Sequence, residues 1–239
     1  MAQLPLMNSI SNAVIWLMNQ VGYAICHQFS ERSLAYGGRI LPVCARDTGL
    51  FLGFGVCCAA LFLVYGTRPR RGPSRPKTLV LALFIVPTII DATTSYAGMR
   101  STTNVWRLVT GSFAGVGFAA LVFPLVANRL VPKADYDERP EAFKSWWSIL
   151  LLLTVPAAVS LLLWPDWPGA YWLWAPLVTL SIVFTLLVLN FLLVSFLLDW
   201  ARAAQPLPSV TAVVFLAFAA CLLELVVSNR LHWLVERYL

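Results

Sequence analysis

The sequence predicts an all-α polytopic membrane protein, a bundle of transmembrane helices with about seven spans. Composition is the first reason: 59% of the 239 residues are hydrophobic and only 12% are charged, and the mean hydropathy is +0.76. Soluble domains of this length are much less apolar. The second reason is the number of apolar runs that approach the ~20 residues a helix needs to cross roughly 30 Å of hydrocarbon.

Each predicted span corresponds to one of these apolar runs. The first and the fifth run offer the least apolar length. The predicted spans are 9–27, 49–66, 78–98, 104–131, 145–163, 171–198 and 209–228.

The basic loop at 67–77 predicts the orientation of the chain. It carries four arginines, one lysine and no acidic residue, and such loops stay on the cytoplasmic side of a membrane. We therefore expect a cytoplasmic N-terminus and a C-terminus outside. The arginines between the first two spans (Arg32, Arg39 and Arg46) weigh against this orientation, because it places them outside. The acidic residues of the same loop do not cancel their effect, since acidic residues count little in the rule.

The loop between the first two spans concentrates side chains that bind metals. Cys26, His27, Cys44 and Asp47 offer thiolate, imidazole and carboxylate groups, the set that zinc prefers. One interpretation is a zinc site, which is open to water if Asp47 is not a ligand. Neighbouring residues on a helix point about 100° apart, so Cys26 and His27 face one metal only if the helix unwinds at that end.

Two other states of these cysteines stay open at this point. A Cys26–Cys44 disulfide would close a loop of about 19 residues, which stabilises a fold by roughly 3 kcal/mol in the chain-entropy model. Alternatively, both thiols are unpaired and structural. Cys57, Cys58 and Cys221 lie inside apolar runs, where thiols act as small hydrophobic groups.

A second polar segment interrupts the third and fourth spans. Asp91 lies about nine residues before the turn at Arg100, and Arg107 about seven residues after it, so the two lie at similar depth. A charge at that depth is expensive without a partner, and we expect adjacent antiparallel helices to pair Asp91 with Arg107. Pro87, one turn before Asp91, predicts a kink in the third span.

Four glycines predict one helix contact. They form two small-xxx-small patterns, which let helix backbones approach closely. We expect the second and fourth spans to pack through Gly49, Gly53, Gly111 and Gly115.

The two polar segments each contain a long sequence motif. The first segment has the pattern C-H-Q-x3-R-S…C-A-R-x-T-G-x3-G from Cys26 to Gly53. The second reads Asp91-x2-Thr94…Arg100-Ser101-Thr102…Asn104-x2-Arg107-x2-Thr110-Gly111. With these motifs the chain resembles domain-of-unknown-function family 2085, a family of small prokaryotic membrane proteins, over residues ~9–130. The resemblance implies a multi-span fold in a prokaryotic plasma membrane and no established activity.

The resemblance also suggests a division of the chain and one departure from the family. We expect a four-span family core at 1–131, a cytoplasmic loop at 132–144 and a three-span C-terminal extension at 145–239. The family usually has C-x-x-C where this chain runs from Cys44 to Asp47. The aspartate keeps a metal ligand but removes the dithiol of a thioredoxin-like redox centre.

One functional hypothesis is a membrane-embedded enzyme or metal protein. Zinc would bind at the polar loop, and guanidinium groups would hold an anionic headgroup or phosphate. Asp91, Arg107 and Asp47 are the catalytic candidates, with Asp91 orienting Arg107 or transferring a proton. The anion-binding candidates are Arg32, Arg46, Arg100, Ser101, Asn104 and Arg107.

The other hypothesis is a non-catalytic accessory subunit or scaffold. A Cys26–Cys44 disulfide would then staple the loop, and the last three spans, with the intramembrane Glu224, would dock against other membrane proteins. Membrane lipid is a partner under both hypotheses. Nucleic acid is not expected, because the basic loop is short and juxtamembrane, as in proteins that contact anionic lipid.

Overall fold

The structure, a computed structural model, describes residues 4–68, 70–130, 140–201 and 209–238. Most of these residues are helical, which confirms the predicted all-α class. A single hairpin of two strands joins the first two helices. The elements are α1 (Leu4–Tyr23), β1 (Ser33–Tyr36), β2 (Arg39–Cys44), α2 (Ala45–Tyr65), α3 (Arg75–Leu83), α4 (Val86–Tyr96), α5 (Asn104–Leu130), α6 (Trp146–Leu152), α7 (Thr154–Leu163), α8 (Ala170–Ala201) and α9 (Val210–Tyr238).

Six helical segments among the described residues are long and apolar enough to cross a membrane, close to the predicted number. Helices α3 and α4 together form one segment, and so do α6 and α7. Helix α1 is not among the six, because polar residues such as Asn12, Asn19 and Gln20 interrupt its apolar run. The bundle exposes large apolar side chains, Leu63 by 88% for example, as expected of a surface in contact with lipid.

Two prolines divide spans into shorter helices. Helix α3 ends at Leu83 and α6 ends at Leu152, each four residues before a proline. A proline ring clashes with the carbonyl of the residue four positions earlier and has no N–H to donate. The predicted break beside Pro87 is therefore confirmed, and Pro156 produces the same break between α6 and α7.

Glycines bring α2 and α5 into backbone contact, as predicted. A Cβ on Gly111 would lie 2.0 Å from the carbonyl oxygen of Arg46, and one on Gly49 would lie 2.2 Å from that of Leu108. Real Cβ atoms do not approach backbone so closely, so larger side chains at these positions would separate the helices. This contact holds the start of α2 against the start of α5.

The hairpin covers one end of the bundle. Its two-residue turn consists of Gly37 and Gly38, both with positive φ (55° and 76°), a conformation that suits glycine. The hydroxyl of Tyr36 donates to the carbonyl oxygen of Leu163 at 2.5 Å, which anchors the hairpin to the end of α7. Strand β2 then leads directly into α2, so Cys44 is both the last strand residue and the N-cap of the helix.

Helices α1 and α9 pack together at this same end. The Asn229 amide donates to the carbonyl oxygen of Gln20 at 3.0 Å, and the Tyr23 hydroxyl donates to Oε2 of Glu236 at 2.6 Å. The C-terminal ends of both helices therefore lie beside the hairpin.

The opposite end joins the two loops that the sequence predicts to be cytoplasmic. The Arg71 N–H donates to the carbonyl oxygen of Pro140 at 3.1 Å, and the buried Lys77 ammonium lies 3.1 Å from Oε1 of Glu141. Residues 131–139, most of the predicted loop at 132–144, lie outside the described residues. The predicted boundaries between core, loop and extension stay a prediction.

Candidate functional site

Three side chains of the first polar segment come together at the start of α2. One ligand atom from each of Cys26, Cys44 and Asp47 lies within 4.8 Å of the other two. Both cysteines are free thiols and are half-buried. Sγ of Cys44 donates to Oδ2 of Asp47 at 3.1 Å, and the Cys44 N–H donates to Sγ of Cys26 at 3.4 Å.

Local structure explains why these three groups meet. Cys44 and Asp47 are three residues apart across the first turn of α2, a spacing that places side chains on the same side. Cys26 lies just after the end of α1, where Gln28 holds the chain against β2. Nε2 of Gln28 donates to the carbonyl oxygens of Pro42 at 2.7 Å and Asn19 at 3.0 Å.

The fourth predicted ligand lies elsewhere. The His27 ring is stacked on Phe29, with centroids 5.9 Å apart, and is tilted against His232 at 4.8 Å. Among the described residues, the group of potential ligands at Cys26 does not include His27. The position agrees with the angular divergence of neighbouring residues at a helix end.

The two thiols differ in acidity. When Cys26 ionises, the Cys44 S–H donates to its thiolate instead of to Asp47, and this hydrogen bond lowers the pKa of the Cys26 thiol, although burial and the charge of Asp47 oppose the shift. The same hydrogen bond, together with burial, raises the pKa of the Cys44 thiol. Cys26 is therefore the first of the pair to become a thiolate.

The second polar segment centres on Asp91, which is completely buried. Its Oδ2 accepts hydrogen bonds from Nε and Nη2 of Arg46 at 3.1 and 2.5 Å. Its Oδ1 accepts a hydrogen bond from Nη2 of Arg100 at 2.7 Å. One carboxylate thus joins α2, α4 and the turn that follows α4.

The predicted Asp91–Arg107 pair is wrong. The guanidinium of Arg107 donates instead to Oδ1 of Asn104, one turn earlier on α5, at 3.2 Å. The prediction considered only helices adjacent in sequence. The glycine contact between α2 and α5 brings Arg46 to the same depth, and this side chain takes the place expected for Arg107.

Further contacts join the two polar segments. Nδ2 of Asn104 donates to the carbonyl oxygen of Ser33 in the hairpin at 3.2 Å. The Tyr96 ring lies under the guanidinium groups of Arg32, at 5.3 Å, and Arg46, at 5.9 Å. Ser101 is exposed in the turn before α5. The predicted site residues therefore surround one end of the bundle.

Two residues of this region have a role that the sequence did not predict. Tyr96 stacks with two arginines, and its only sequence signal is an aromatic residue at the polar end of a span. Gln28 belongs to the recognised motif, but it received no role there. Its positive φ of 54° and its two side-chain bonds show that it shapes the loop.

The remaining cysteines pack in the interior, as predicted. Cys57, Cys58 and Cys221 are each at most 2% exposed. They lie on α2 and α9, inside segments that can cross a membrane. Access to solution chemistry is therefore confined to Cys26 and Cys44.

The comparisons with known proteins agree with the resemblance noted in the sequence. A family model described as "Predicted membrane protein (DUF2085)" matches residues 26–121. An uncharacterized protein of Methanothermobacter thermautotrophicus is 36% identical over 97 residues, which are 41% of this chain and 83% of that protein. The uncharacterized protein MJ1492 of Methanocaldococcus jannaschii is 28% identical over 110 residues, which are 46% of this chain and 68% of that protein.

No solved structure matches the chain. The matched residues run from Cys26 through most of α5 and include both polar segments. This chain therefore belongs to domain-of-unknown-function family 2085, a family of membrane proteins.

Proposed function

We propose that the protein binds one divalent metal ion, zinc, through Cys26, Cys44 and Asp47, beside an arginine-lined site for an anionic group. The observation that carries this proposal is the mutual approach of the three ligand atoms to within 4.8 Å. Two thiolates and one carboxylate are favoured ligands of zinc. A His27 imidazole is not needed, because a water or a substrate oxygen can fill the fourth position.

The geometry of the triad is close to what a tetrahedral ion requires. Zinc–sulfur bonds of roughly 2.3 Å and zinc–oxygen bonds of about 2.0 Å place neighbouring ligand atoms about 3.5 to 3.8 Å apart. The Cys44–Asp47 pair is already at 3.1 Å. Small side-chain rotations therefore suffice, and the lowered pKa of the Cys26 thiol favours the thiolate that a metal needs.

The arginines next to the triad give this region an excess of positive charge. Of the three arginines Arg46, Arg100 and Arg107, only the first two pair with the carboxylate of Asp91. Arg107 is only 7% exposed, and no ion pair among the described residues involves it. A buried guanidinium without a carboxylate is a favourable partner for phosphate oxygens.

These features suggest roles for the remaining candidates. Asp91 holds Arg46 and Arg100 in place. The sequence had instead suggested that Asp91 orients Arg107. Asn104 orients Arg107 through its amide oxygen. Cys26 and Cys44 would hold the metal, zinc would supply an activated water when bound, and Asp47, if it is not a ligand, would serve as the proton acceptor of a hydrolytic centre.

Elemental analysis of the purified protein tests the metal site. We expect about one zinc per chain, and a loss of this zinc in Cys26→Ser and Cys44→Ser. Cys221→Ser is the matched control, because it removes a buried thiol on α9 and should leave the zinc content unchanged. Protein that contains no transition metal and takes up none from added zinc would contradict the proposal.

A second candidate function, an accessory subunit of a membrane complex, is favoured by Glu224. This carboxyl lies midway along α9 and is exposed, with Nδ2 of Asn190 as its hydrogen-bond donor at 2.9 Å. A carboxyl that faces hydrocarbon is stabilised by cover from another membrane helix. In this function a Cys26–Cys44 disulfide would staple the loop in an oxidising compartment.

Mild solubilisation tests this second function. We expect other membrane proteins to co-purify with the chain and to be lost in Glu224→Leu. A monodisperse particle that contains this chain alone would count against it.

We further propose that the chain lies in a prokaryotic plasma membrane with its N-terminus in the cytoplasm and its C-terminus outside, so that α1 crosses the membrane in addition to the six more apolar segments. The basic residues of the loop at 67–77 support this orientation. The metal site would then lie at the outer face.

A further inference from the structure

Two partly polar cavities adjoin on α1, and neither is lined by a residue of the triad or by Asp91. One, of ≈ 490 Å³, lies between α1, the hairpin and the start of α8. The other, of ≈ 570 Å³, lies between α1 and α9. They share Asn19 and Gln28, so together they form one trough along α1.

Helix α1 forms one wall of the trough with a single face. The lining residues of α1 recur at three- and four-residue intervals from Asn12 to Tyr23, over roughly 16 Å of helix. Several of them carry amide groups. This polar face is the physical reason that α1 is less apolar than the other long helices.

The charge of the trough is positive. Arg39 lines one end and Arg230 lines the other, and none of the described lining residues is acidic. Neither arginine takes part in an ion pair within the described part of the chain. The Arg39 guanidinium lies over the Tyr171 and Trp172 rings, at 5.6 and 5.0 Å, which leaves its N–H groups for an anion.

One lining side chain also has an unused acceptor. Oδ1 of Asn229 is buried and has no hydrogen-bond partner among the described residues, while its Nδ2 donates to the carbonyl oxygen of Gln20. A buried carbonyl oxygen without a donor is unfavourable, because it has lost its hydrogen bonds to water. A ligand hydroxyl is a donor that would satisfy it.

Part of the lining is apolar and belongs to the outer surface of the bundle. Trp16 is 62% exposed and Val226 is 59% exposed, and α9 is long and apolar enough to cross a membrane. A ligand in the trough would touch polar groups and the lipid phase together. Trp and Tyr rings at such a boundary favour molecules that are themselves amphipathic.

We propose that this trough binds an anionic membrane lipid whose headgroup carries a phosphate and hydroxyl groups. Arg230, beside Asn229, pairs with the phosphate, and Arg39 adds positive charge at the other end of the trough. The Asn229 carbonyl oxygen accepts from a headgroup hydroxyl, and the acyl chains lie against the exposed surface of α1 and α9. The site is separate from the metal and anion site proposed above.

The site also depends on residues outside the family match. Asn229, Arg230 and Trp233 follow the matched residues 26–121 by more than a hundred positions. The 97-residue match covers 83% of the Methanothermobacter relative, so few residues of that protein remain to form a counterpart of α9. The lipid site is therefore a property that the C-terminal helices add to the family core.

Native mass spectrometry of the full chain in detergent tests the proposal. Phosphatidylglycerol and phosphatidylcholine of equal chain length are added in turn, and the lipid-bound fraction is measured. We expect one phosphatidylglycerol per chain, bound at least tenfold more tightly than phosphatidylcholine. Equal retention of the two lipids by the wild-type chain would overturn the proposal, whatever any variant does.

A pair of variants tests the residues. The double variant Arg39→Gln and Arg230→Gln should lose the preference for phosphatidylglycerol. The double variant Arg71→Gln and Arg75→Gln removes the same charge from the opposite end of the bundle and should keep this preference. All four arginines are exposed, so both variants are expected to fold. An unchanged preference in the first variant, or an equal loss in the second, would refute the assignment.

Two further arms address the headgroup. Asn229→Leu should weaken the binding of phosphatidylglycerol several-fold. It should weaken the binding of phosphatidic acid, which lacks the headgroup hydroxyls, much less. Equal weakening of both lipids would refute the role of Asn229. Glycerol phosphate without acyl chains should compete at least a hundredfold more weakly, and equally strong competition would refute a lipid ligand.

Discussion

The guanidinium of Arg46 donates two hydrogen bonds to one carboxylate oxygen of Asp91, at 3.1 and 2.5 Å. The two residues are 45 positions apart and belong to different polar segments of the family. Arg46 is 8% exposed and Asp91 is completely buried. Because a buried charge is strongly unfavourable without its partner, this pair ties the hairpin end of α2 to α4.

Removal of the Asp91 charge is expected to destabilise the protein severely. Asp91→Asn leaves the Arg46 guanidinium buried without a carboxylate, and we expect a loss of about 3–5 kcal/mol in the free energy of unfolding. Chemical unfolding in detergent measures this loss. Asp199→Asn is the matched control: it breaks the Arg129–Asp199 ion pair, whose side chains are 22% and 36% exposed, and should change stability by about 1 kcal/mol at most. Equal losses in both variants would contradict the buried pair.

A methyl group at Gly111 is expected to separate α2 from α5. The Cβ of Gly111→Ala would lie 2.0 Å from the Arg46 carbonyl oxygen, which is backbone and cannot rotate away. We expect a loss of about 1–3 kcal/mol, as for other overpacked interiors. Thermal unfolding provides the measurement. Gly72→Ala has no atom within 4 Å of its new Cβ and should stay within about 0.5 kcal/mol of wild type.

The two thiols of the triad are expected to react at different rates. The pKa of Cys26 is lowered by its hydrogen bond from Cys44, so its reactive thiolate is present at a lower pH than in an ordinary thiol. Iodoacetamide should therefore modify Cys26 before Cys44 at neutral pH, and the rate should fall as the pH drops through the lowered pKa. Peptide mass spectrometry of the modified protein identifies the site.

Two controls accompany this alkylation experiment. Added zinc should protect both thiols if the triad binds the metal, while magnesium, which prefers oxygen ligands, should not. Faster modification of Cys44 than of Cys26 would show that the assignment of the thiolate is wrong.

Reporter fusions are expected to place the C-terminus outside and the loop at 67–77 in the cytoplasm. The reason is the concentration of arginine and lysine in that loop. A periplasmic phosphatase fused after residue 239 should be active, and one fused after Gly72 should be inactive. The reverse pattern would place the metal triad on the cytoplasmic side and would refute the proposed orientation.

Much of the fold was predictable from local chemistry. Apolar length predicted the six spans that the structure describes, while the first predicted span, 9–27, corresponds to the less apolar α1. Pro87 marked the break between α3 and α4, because a proline removes a backbone donor wherever it stands. Gly49 and Gly111 indicated the contact of α2 with α5, since only small residues permit that approach.

The partners of the polar groups were not predictable in the same way. The depth of Asp91 predicts a cationic partner. The sequence offers three candidates for this partner: Arg46, Arg100 and Arg107. The choice depended on the relative rotation and height of three helices, which no local pattern encodes. The proximity of Cys26, Cys44 and Asp47 likewise depends on Gln28, whose bonds to Pro42 and Asn19 position the end of α1.

By itself, the sequence determined a helical membrane bundle, the ends of its helices and the two segments that carry its chemistry, because hydrophobicity, proline and glycine act on their own neighbourhood. Only the tertiary structure decided that Arg46 pairs with Asp91, that His27 lies apart from the thiols, and that α1 and α9 enclose a polar trough. These relationships join residues up to 213 positions apart, and such contacts are set by packing, in which every helix contributes to the final position of every other.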